Sequence, residues 1–556
     1  MKYFGHILEY NITPSNINFA GQAVKTENYI VFFSGRLFSV CNKKMHLIES
    51  ETAKTILNLY TTFGEDFLNH IDGSFSIGII DFKNKEVFLA ADKFSTKPLY
   101  YSSTPDEFIF SNTIQELLSN SSIKACISKD EICEIFGFGP AHTPGKTYFK
   151  DIFKIQPGHY AILNKDRFKE FCYWDLKEHK NLETIEENIN TSKELVISAF
   201  KRDFSLGCAS MLSGGLDSSI LTMLAAKETN SLKTYSIDYE NNNINFTGSS
   251  YQPTQDKDFV KIMADKLNTI HTTFTFSAKD LFNSLKDAML AREMPGMADV
   301  DSSILLFLKS IKQDGINTIL SGECSDEIFG GYPWYYKENL MHSYPFPWAK
   351  SLELRENILN TNIVSKEYLE EYIKNKVTSN DDLDFENVFS YNCSNTIKWF
   401  MMCLIERTER MANYVGIDVR TPFADYKLFE YIYNISAKRK LGLESNNTPV
   451  EKYILRKAFE KDLPESIVYR KKSPFPKTYD PKYLELLEKE IKNILDNSTS
   501  PLLKIINVEF LYNLLESHGT NIKENWFGQL MTYPQTLAYL IQVNMWLIEF
   551  DIKIEI

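Results

Sequence analysis

Hydrophobic and polar positions alternate along roughly the first 180 residues in short runs that are typical of β-strands. The runs are bounded by polar turns and read YIVFFSG, SFSIGIIDF, KEVFLAA, EFIFSN and HYAILN. Strand-like runs joined by charged turns, as in IDFKNKEVFL, predict a layered, β-rich domain. A polar stretch, Asp175 to Asn190, follows and is interpreted as a linker that runs into a helix.

After this linker, strand-like runs alternate with runs of helical length. CASMLS, KTYSIDY and INTILS predict strands, whereas DSSILTMLAAKE, DKDFVKIMADKL and VDSSILLFLKSIKQ predict helices. Such alternation is typical of βαβ units and predicts a parallel sheet with helices on both faces. From about Lys337 onward the pattern is mainly helical. We therefore predict an α/β chain with one domain over residues 1–185 and a second over 190–556.

One uncharged stretch, Asn525 to Ile548, is long enough to span a bilayer. Gln, Asn and Pro residues interrupt it, so a buried core helix after Pro534 is the better prediction. The whole chain has 43% hydrophobic and 24% charged residues, as an ordinary globular protein does. We expect a cytoplasmic protein, because no secretory signal pattern is present at the N-terminus.

Charge and cysteine usage exclude some classes of function. A formal net charge of −12 argues against a nucleic-acid groove, which needs concentrated Lys and Arg. The eight cysteines contain no C-x-x-C pair and fit neither a zinc ribbon nor a dense disulfide framework. The basic run YRKKSPFPK, Tyr469 to Lys477, is by itself typical of a solvated loop.

The first stretch that suggests chemistry is MLSGGLDSSI, which joins a predicted strand to a predicted helix. Gly214 and Gly215 would let the main chain approach a ligand closely. Backbone N–H groups at the start of a helix favour an anion such as phosphate. Hydroxyl donors could be added by Ser213, Ser218 and Ser219. Asp217 would repel a phosphate unless a divalent cation lay between them, so it predicts Mg²⁺; the alternative is a plain turn in which Asp217 starts the helix.

The second such stretch is LSGECSDEIFGGY, which places Glu323, Asp326 and Glu327 just after another predicted strand. Ligands of parallel sheets bind at the carboxyl ends of the strands, so we expect the two loops to lie together. One carboxylate could hold a metal and another could accept a proton. Stabilisation of the first turn of the next helix is an equally good interpretation for Glu327.

Together with these loops, an ordered series of further motifs resembles the class B, glutamine-dependent asparagine synthetase family. The motifs are TYSIDY, MPGMADVDSS, VGIDVRTPFAD, EKYILRKAF, YRKKSPFPKTYDP and WFGQLMTYPQTLAYLIQVNMWL, with LNHIDGSFSIGIIDF and KIQPGHYAIL nearer the N-terminus. The resemblance implies an N-terminal glutaminase domain of the Ntn-hydrolase type. It also implies a C-terminal ATP-pyrophosphatase (PP-loop) domain with a parallel sheet and a helical C-terminal part.

The resemblance also implies roles for individual residues. ATP would be held by Leu212, Ser213, Gly214, Gly215, Asp217, Ser218, Ser219, Ser236, Ile237, Ser321 and Gly322. Asp217 and Asp326 would share Mg²⁺. Glu323 matches the residue that positions or deprotonates the amine, and Lys452 matches the one that stabilises the phosphates. Arg420 and Asp425, in VRTPFAD, are interpreted as structural support.

The N-terminal part departs from the family pattern at its glutaminase site. Glutamine-dependent members begin Met-Cys-Gly, whereas Lys2 and Tyr3 follow Met here and the first cysteine is Cys41. The glutamine-holding Asn-Gly-Glu turn of the family appears as Ser34, Gly35 and Arg36. The resemblance therefore implies a degenerate glutaminase-like domain that does not hydrolyse glutamine. In this respect the chain is similar to β-lactam synthetases and lasso-peptide cyclases.

The function expected from this pattern is that of an ATP-dependent ligase that forms an amide in specialised biosynthesis. It would adenylate a small-molecule or peptide carboxylate, release pyrophosphate and AMP, and use ammonia, a separate amine or an amine on the same molecule. The alternatives are an ammonia-dependent asparagine synthetase and a non-catalytic ATP-binding regulator or scaffold. No nucleic-acid or membrane partner is expected, and a homodimer is an option that the sequence does not decide.

Overall fold

The structure is a computed structural model, which describes residues 2–10, 12–15, 17–21, 23–41, 43–44, 49–165, 167–248, 254–350, 352–445, 448–522 and 524–556. The chain forms two compact units. The first comprises Met1–Glu131, His142–Leu176 and Phe550–Ile556, and the second comprises Ile132–Ala141 and Lys177–Glu549.

The strands and helices are numbered separately along the chain. The strands are β1 Tyr3–Leu8, β2 Ile17–Gly21, β3 Ala23–Lys25, β4 Tyr29–Val40, β5 Lys43–Lys44, β6 Ile71–Asp81, β7 Glu86–Ala91, β8 Tyr100–Ser103, β9 Glu107–Ser111, β10 Cys126–Ile127, β11 Phe153–Lys154, β12 His159–Asn164, β13 Arg167–Cys172, β14 Ala209–Met211, β15 Lys233–Tyr239, β16 Ile270–Phe276, β17 Thr318–Leu320, β18 Asp418–Arg420 and β19 Lys553–Ile554. The α-helices are α1 Glu49–Phe63, α2 Ile114–Leu118, α3 Lys129–Cys133, α4 Ile185–Asp203, α5 Leu216–Glu228, α6 Asn242–Asn245, α7 Lys257–Leu267, α8 Ala278–Asn283, α9 Leu285–Arg292, α10 Asp299–Gln313, α11 Ser325–Phe329, α12 Glu338–Met341, α13 Leu352–Ile358, α14 Lys366–Lys374, α15 Phe385–Asn395, α16 Met402–Val415, α17 Tyr426–Tyr433, α18 Ala437–Lys440, α19 Tyr453–Phe459, α20 Glu465–Val468, α21 Pro481–Asp496, α22 Val508–Glu516 and α23 Tyr533–Glu549. Shorter 3₁₀ and π turns are Gly64–His70, Glu134–Phe138, Pro333–Tyr335, Thr396–Met401 and Pro501–Lys504.

The first unit contains two antiparallel sheets, ordered β11-β8-β9-β1-β2 and β13-β12-β7-β6-β4-β3. Successive residues of β4 point to opposite faces of its sheet, so Phe32 packs into one core with Phe110 of the other sheet. Val31 packs into a second core with Ile56 of α1. Because both faces of β4 are buried, the strand is apolar almost continuously. The predicted layered β-rich arrangement is confirmed, and α1, which the sequence reading missed, covers the outer face.

The second unit is built on a parallel sheet ordered β16-β15-β14-β17-β18. The three strands predicted from sequence are its central members β14, β15 and β17, and the helices predicted with them are α5, α7 and α10. The prediction missed β16 and β18. β16 is an edge strand whose IHTTFTF sequence is largely polar, and β18 has only three residues. Neither strand has the apolar run of a central strand.

The uncharged C-terminal stretch forms α23, which is buried along most of its length. Its polar side chains find partners inside the unit: Gln535 Nε2 donates to Asp299 Oδ2 (2.9 Å), and Gln542 Nε2 donates to Leu285 O (3.0 Å). Across the described part of the chain, no helix is both long and apolar enough to cross a membrane. The predicted core helix after Pro534 is confirmed.

We expect Leu540→Ala to lower the free energy of unfolding by about 2–5 kcal/mol, because Leu540 is fully buried in α23 and its removal leaves a cavity. Ile548→Ala in the same helix is the matched control, since Ile548 is 57% exposed, and should change stability by less than about 0.5 kcal/mol. Urea denaturation of the second unit measures both. Equal effects of the two substitutions would contradict the burial of α23.

Candidate active site

Two loops leave the sheet of the second unit side by side. β14 and β17 are hydrogen-bonded neighbours, with Ala209 opposite Ile319 and Ser210 opposite Leu320. Both strands are parallel, so their carboxyl ends meet at the same edge, as expected from sequence. The β14 loop leads into α5 and the β17 loop leads into α11.

The serines of the β14 loop hold it in a tight turn, and two glycines, one in this loop and one in the β17 loop, allow close contacts with neighbouring segments. Ser213 and Ser218 share a 3.0 Å hydrogen bond between their hydroxyls. Gly214 has a φ of +69°, and a Cβ there would lie 2.6 Å from Phe259 Cβ. Gly322 of the second loop comes so close that a Cβ would lie 2.9 Å from Ser218 N. The side chains of α5 provide no N-terminal cap, which leaves backbone N–H groups of the first turn for a ligand.

The ammonium group of Lys452 joins the two loops. Its Nζ lies 2.6 Å from Asp217 Oδ2 and 2.7 Å from Asp326 Oδ1. Ser325 Oγ donates a further bond of 2.8 Å to Asp217 Oδ1. Gly331 makes room for this ion cluster, since a Cβ there would lie 2.0 Å from Asp326 Oδ1. A cation brought from far along the chain thus occupies the space between two carboxylates.

The charges of this cluster depend strongly on one another. Burial alone would raise the pKa of Asp326, but the ammonium groups of Lys452 and Lys472 lower it to about 2. Burial opposes the charged form of Lys452 as well, and its two carboxylate partners nevertheless raise its pKa above the ordinary value. Burial, and then repulsion by Asp326, raise the pKa of Glu327 to about 7. The cluster therefore keeps Asp326 ionised beside a carboxyl that readily takes up a proton.

Glu327 accepts a hydrogen bond from Tyr332 Oη (2.8 Å) and is fully buried in the first turn of α11. Its side chain is thus engaged by a phenol and by the backbone at the start of the helix, so both interpretations of Glu327 stay open. Glu323 lies one turn earlier and is held by two residues of α16. Thr408 Oγ1 donates to its two carboxylate oxygens at 3.0 and 2.8 Å, and the Arg407 guanidinium also bonds to it.

A polar cluster covers the other side of the β14 loop, at β15 and β16. Ser236 Oγ lies 3.0 Å from His271 Nε2 and 2.9 Å from Thr273 Oγ1. Burial lowers the pKa of His271, which keeps the imidazole neutral near neutral pH. Together with Leu212 and Ile237, these side chains form a partly apolar wall suited to an uncharged ring system.

The structure brings most of the predicted site residues to one cavity of about 560 Å³ in the second unit. Its walls include Leu212, Ser213, Gly215, Asp217, Ser218, Ser236, Ile237, Ser321, Gly322, Glu323, Asp326 and Lys452. Gly214 and Ser219 do not line it: Gly214 packs on α7, and the Ser219 hydroxyl is buried. Both remain predicted ATP contacts, but through the backbone or the shape of the loop.

Sequence reasoning missed several residues that line the same cavity, namely Arg407, Thr408, His271, Thr273, Arg470 and Lys472. The last two belong to the basic run that was interpreted as a solvated loop. That interpretation is wrong for them: Lys472 pairs with Asp326, and Arg470 is buried, stacks on Phe259 and donates to Ser213 O (3.1 Å). The motif YRKKSPFPK was the available signal. Arg407 and Thr408 gave no such signal, because the sequence of a buried helix does not reveal which of its side chains contacts a loop.

Arg420 and Asp425 lie outside these cavity walls. Arg420 donates to Asp203 O (2.6 Å) and Asp425 accepts from Leu428 N (2.9 Å) at the start of α17, as the predicted supporting role requires.

Comparison with known proteins identifies the family of this chain. The asparagine synthase family profile matches residues 196–548, and a glutamine amidotransferase domain profile matches residues 22–174. The chain belongs to the asparagine synthase family. It is 36% identical to asparagine synthetase [glutamine-hydrolyzing] 3 of Bacillus subtilis, over 96% of this chain and 89% of that protein. It is 24% identical to asparagine synthetase [glutamine-hydrolyzing] 1 of the same organism, over 90% and 83% of the two chains.

A solved allosteric regulatory enzyme of purine biosynthesis also aligns, at 11% identity and a TM-score of 0.19, over 34% of this chain and 41% of that one. Agreement at that level carries no argument. The assignment to the asparagine synthase family and the mixed fold, with antiparallel sheets in one unit and a parallel sheet in the other, confirm the predicted fold class.

We expect Gly214→Ala to destabilise the second unit by about 2–4 kcal/mol, because it combines a left-handed backbone with a clash against α7. Gly207→Ala is the matched control: its φ is +89°, but nothing lies within 4 Å of the added Cβ. It should cost only about 1–2 kcal/mol of backbone strain. Urea midpoints measure the difference, and equal losses would show that the approach to α7 does not matter.

We expect Glu327→Gln to change how stability depends on pH. Between the ordinary value of 4.5 and about 7, the folded protein binds the Glu327 proton more tightly than the unfolded chain does, so this group lowers stability as pH rises. The variant lacks that loss and should gain roughly 3 kcal/mol relative to the parent between pH 4.5 and 8. Urea unfolding at both pH values tests this. A difference between the two proteins that stays constant with pH would contradict it.

Proposed function

We propose that this member of the asparagine synthase family is an ATP-dependent carbon–nitrogen ligase. It would adenylate a carboxylate, release pyrophosphate and pass the acyl group to an amine without hydrolysing glutamine. The observation that carries the proposal is the position of Lys452 between Asp217 and Asp326 at the edge where the two loops meet. The named relatives in the comparison are asparagine synthetases, which supports amide formation as the class of reaction.

In the first step, an oxygen of the substrate carboxylate attacks the α-phosphorus of ATP and the bond between that phosphorus and the α–β bridging oxygen breaks. Negative charge then accumulates on the departing pyrophosphate. Backbone N–H groups at the start of α5 and the Lys452 ammonium group are positioned to stabilise this charge, and they need little rearrangement to do so. Arg470 contributes indirectly, because it braces the loop through Ser213 O.

Asp217 and Asp326 fit a shared Mg²⁺ ion as carboxylate ligands. In the described residues, no group of three or more His, Cys, Asp or Glu side chains could hold a metal by itself. Mg²⁺ usually binds through one or two carboxylates supplemented by phosphate oxygens and water. When bound, the ion would neutralise charge on the phosphates. We propose that the ammonium group of Lys452 leaves the two carboxylates and turns toward the phosphates when the nucleotide binds.

In the second step, the amine nitrogen attacks the acyl carbon, the bond to AMP breaks, and the amine loses a proton. Glu323 is the residue we assign to position the amine and accept this proton. Arg407 and Thr408 fix its carboxylate, so that one orientation faces the cavity. A rigidly held base next to the adenylate site is what such a transfer requires.

Features inside the first unit support independence from glutamine. Tyr3 is buried at the start of β1, where its Oη donates to Ser76 Oγ (3.0 Å) and its ring stacks on Phe32. Ser34, Gly35 and Arg36 lie within β4, opposite Ser76, Phe75 and Ser74, rather than in the turn expected from sequence. In this unit Arg36 therefore places a cationic side chain where the family's glutamine-holding turn has a carboxylate.

The proposal has alternatives that differ in the nitrogen donor and in the acid that is activated. A specialised biosynthetic acid is our first choice because of the altered first unit. Ammonia-dependent asparagine synthesis is the second. The relatives are asparagine synthetases, which favours asparagine as the product, but they are glutamine-hydrolyzing enzymes and do not favour ammonia as the donor. A non-catalytic ATP-binding scaffold is disfavoured by the assembly of Asp217, Asp326, Lys452 and Glu323 around one cavity. Small-molecule or peptide substrates, a homodimer and a cytoplasmic location stay predictions.

The test is ATP–pyrophosphate exchange with a broad panel of carboxylic acids, followed by amide formation with ammonia, glutamine or no added amine. Asp217→Asn should reduce exchange at least a hundredfold, because it weakens both the metal site and the bond to Lys452. Asp258→Asn, an exposed position at the start of α7, is the control and should not alter it.

Ammonia should support amide formation, whereas glutamine should not exceed the level without added amine. Nucleotide binding without exchange for any acid would favour the scaffold. Efficient use of glutamine would remove the claim of glutamine independence while leaving the ligase intact.

A further inference from the structure

A second cavity, of about 390 Å³, lies inside the second unit and shares no lining residue with the cavity of the two loops. Its walls come from residues 178–180 of the polar stretch after β13, from α15 and from residues 433–440, which include α18. One lysine of these walls, Lys440, is only 1% exposed, whereas Lys180 is exposed. Lysine is rarely buried to this degree unless an anion pairs with it.

Main-chain and aromatic contacts hold the ammonium group of Lys440. Its Nζ donates to Tyr433 O (3.1 Å) and lies 5.2 Å from the ring centroid of Phe389 and 6.0 Å from that of Tyr433. An ammonium has three N–H donors, and within the described part of the chain no acceptor takes the other two. Two donors of a buried cation are thus left for the contents of the cavity.

The protein compensates this charge only in part. Glu386 attracts the ammonium from beyond ion-pair distance, and its own oxygens accept from Ala437 N (2.9 Å) and Lys438 N (3.4 Å). Burial lowers the pKa of Lys440, although Cys393 and Glu386 act in the opposite direction. Removing an ammonium from water without a contacting anion is costly, so an anion in the cavity would stabilise it.

The other charges of the walls select the kind of anion. Glu178 and Glu386 belong to the same walls, and their carboxylates would repel an anion with two charges, such as phosphate. They would attract a cationic group at the far end of a ligand that carries one negative charge. A volume of about 390 Å³ is within the range of small-molecule sites. A free amino acid combines one carboxylate, one ammonium group and a small size.

Two residues of these walls also contact the main chain of α11, the helix that carries Asp326. Cys393 Sγ donates to Glu327 O (3.6 Å). The ring of Phe389 lies 4.9 Å from that of Tyr335, whose Oη donates to the same carbonyl (2.7 Å). A ligand in the second cavity would therefore touch the residues that hold α11 in place.

We propose that the second cavity is a regulatory site for a free amino acid, in which Lys440 binds the carboxylate. The ammonium group of the ligand faces the carboxylates of Glu178 and Glu386. Occupancy acts through α11 on the affinity of the first cavity for nucleotide. The binding of the amino acid goes beyond the proposed ligase function and does not depend on it.

The binding test uses the full-length protein without nucleotide. The probes are alanine, leucine, phenylalanine, asparagine and glutamine, each compared with its amide, which lacks the carboxylate, and with its deamino acid, which lacks the ammonium. Inorganic phosphate is the doubly charged probe, and saturation-transfer NMR and calorimetry measure binding. Lys440→Met removes the charge, and Lys438→Met, at an exposed position of the same helix, is the matched control. Ser390→Phe, which fills the cavity from a half-buried position of α15, serves if Lys440→Met does not fold.

At least one amino acid should bind the parent protein about tenfold or more tightly than its amide, as a charge-assisted hydrogen bond implies, and more tightly than its deamino acid or phosphate. Lys440→Met and Ser390→Phe should abolish this preference, and Lys438→Met should keep it. The site is overturned if no amino acid is preferred, or if the preference survives in Lys440→Met, which would place the binding elsewhere.

The regulatory role is tested by the affinity for a non-hydrolysable ATP analogue with Mg²⁺, measured with and without the amino acid that binds. The parent protein should show a change of about fivefold or more, as coupled sites typically do, and Lys440→Met should show none. Binding of the amino acid with unchanged nucleotide affinity would overturn the regulatory role. A failure of the ligase function would appear only in ATP–pyrophosphate exchange and would leave these binding results intact.

Discussion

The ion cluster of Lys452 with Asp217 and Asp326 is the interaction on which the second unit depends most. It joins the residue just before α19, in the last fifth of the chain, to two loops that leave neighbouring strands. All three groups are largely buried, and removing one partner of such a cluster typically costs about 3–5 kcal/mol because the others are left uncompensated. Two close glycines are consequences of the same constraint: a Cβ at Gly322 would meet the β14 loop at Ser218 N, and a Cβ at Gly331 would meet Asp326 and Lys452.

The same cluster explains why the site is suited to a polyphosphate. Two acidic groups face the place where an anionic ligand would enter, and in the structure they are neutralised from within by lysines rather than by solvent. Under the proposed function, Asp217 and Asp326 would hold a divalent cation and the lysines would face the phosphates, so nucleotide binding would replace this internal pairing. The folded site is thus held together by the charges that binding would redistribute.

The parts of the site that are formed by neighbouring residues could be predicted from the sequence, whereas the contacts between distant segments mostly could not. Glycine spacing in MLSGGLDSSI and the strand–helix alternation were local signals, so the β14 loop, α5 and the neighbouring β17 loop could be predicted. Lys452 had no local signal and was found only through the family resemblance. Arg407, Thr408 and His271 could not be found, because their roles arise from which face of α16 or β16 packs toward the loops. The burial of part of the basic run was missed for a related reason. A charged segment is solvated unless the fold supplies carboxylates for it, as Asp256 does for Arg470 and Asp326 does for Lys472.

The most direct test of the central claim is the affinity of the site for Mn²⁺, used as a paramagnetic substitute for Mg²⁺ and measured by electron paramagnetic resonance without nucleotide. If the Lys452 ammonium occupies the place of the cation, Lys452→Met should bind one Mn²⁺ at least tenfold more tightly than the parent protein does. The double variant Lys452→Met with Asp326→Asn should lose that gain, because one of the two carboxylates no longer carries a charge. Equal Mn²⁺ affinity in the parent and in Lys452→Met would contradict the account, since the two carboxylates would then not form a cation site that Lys452 fills.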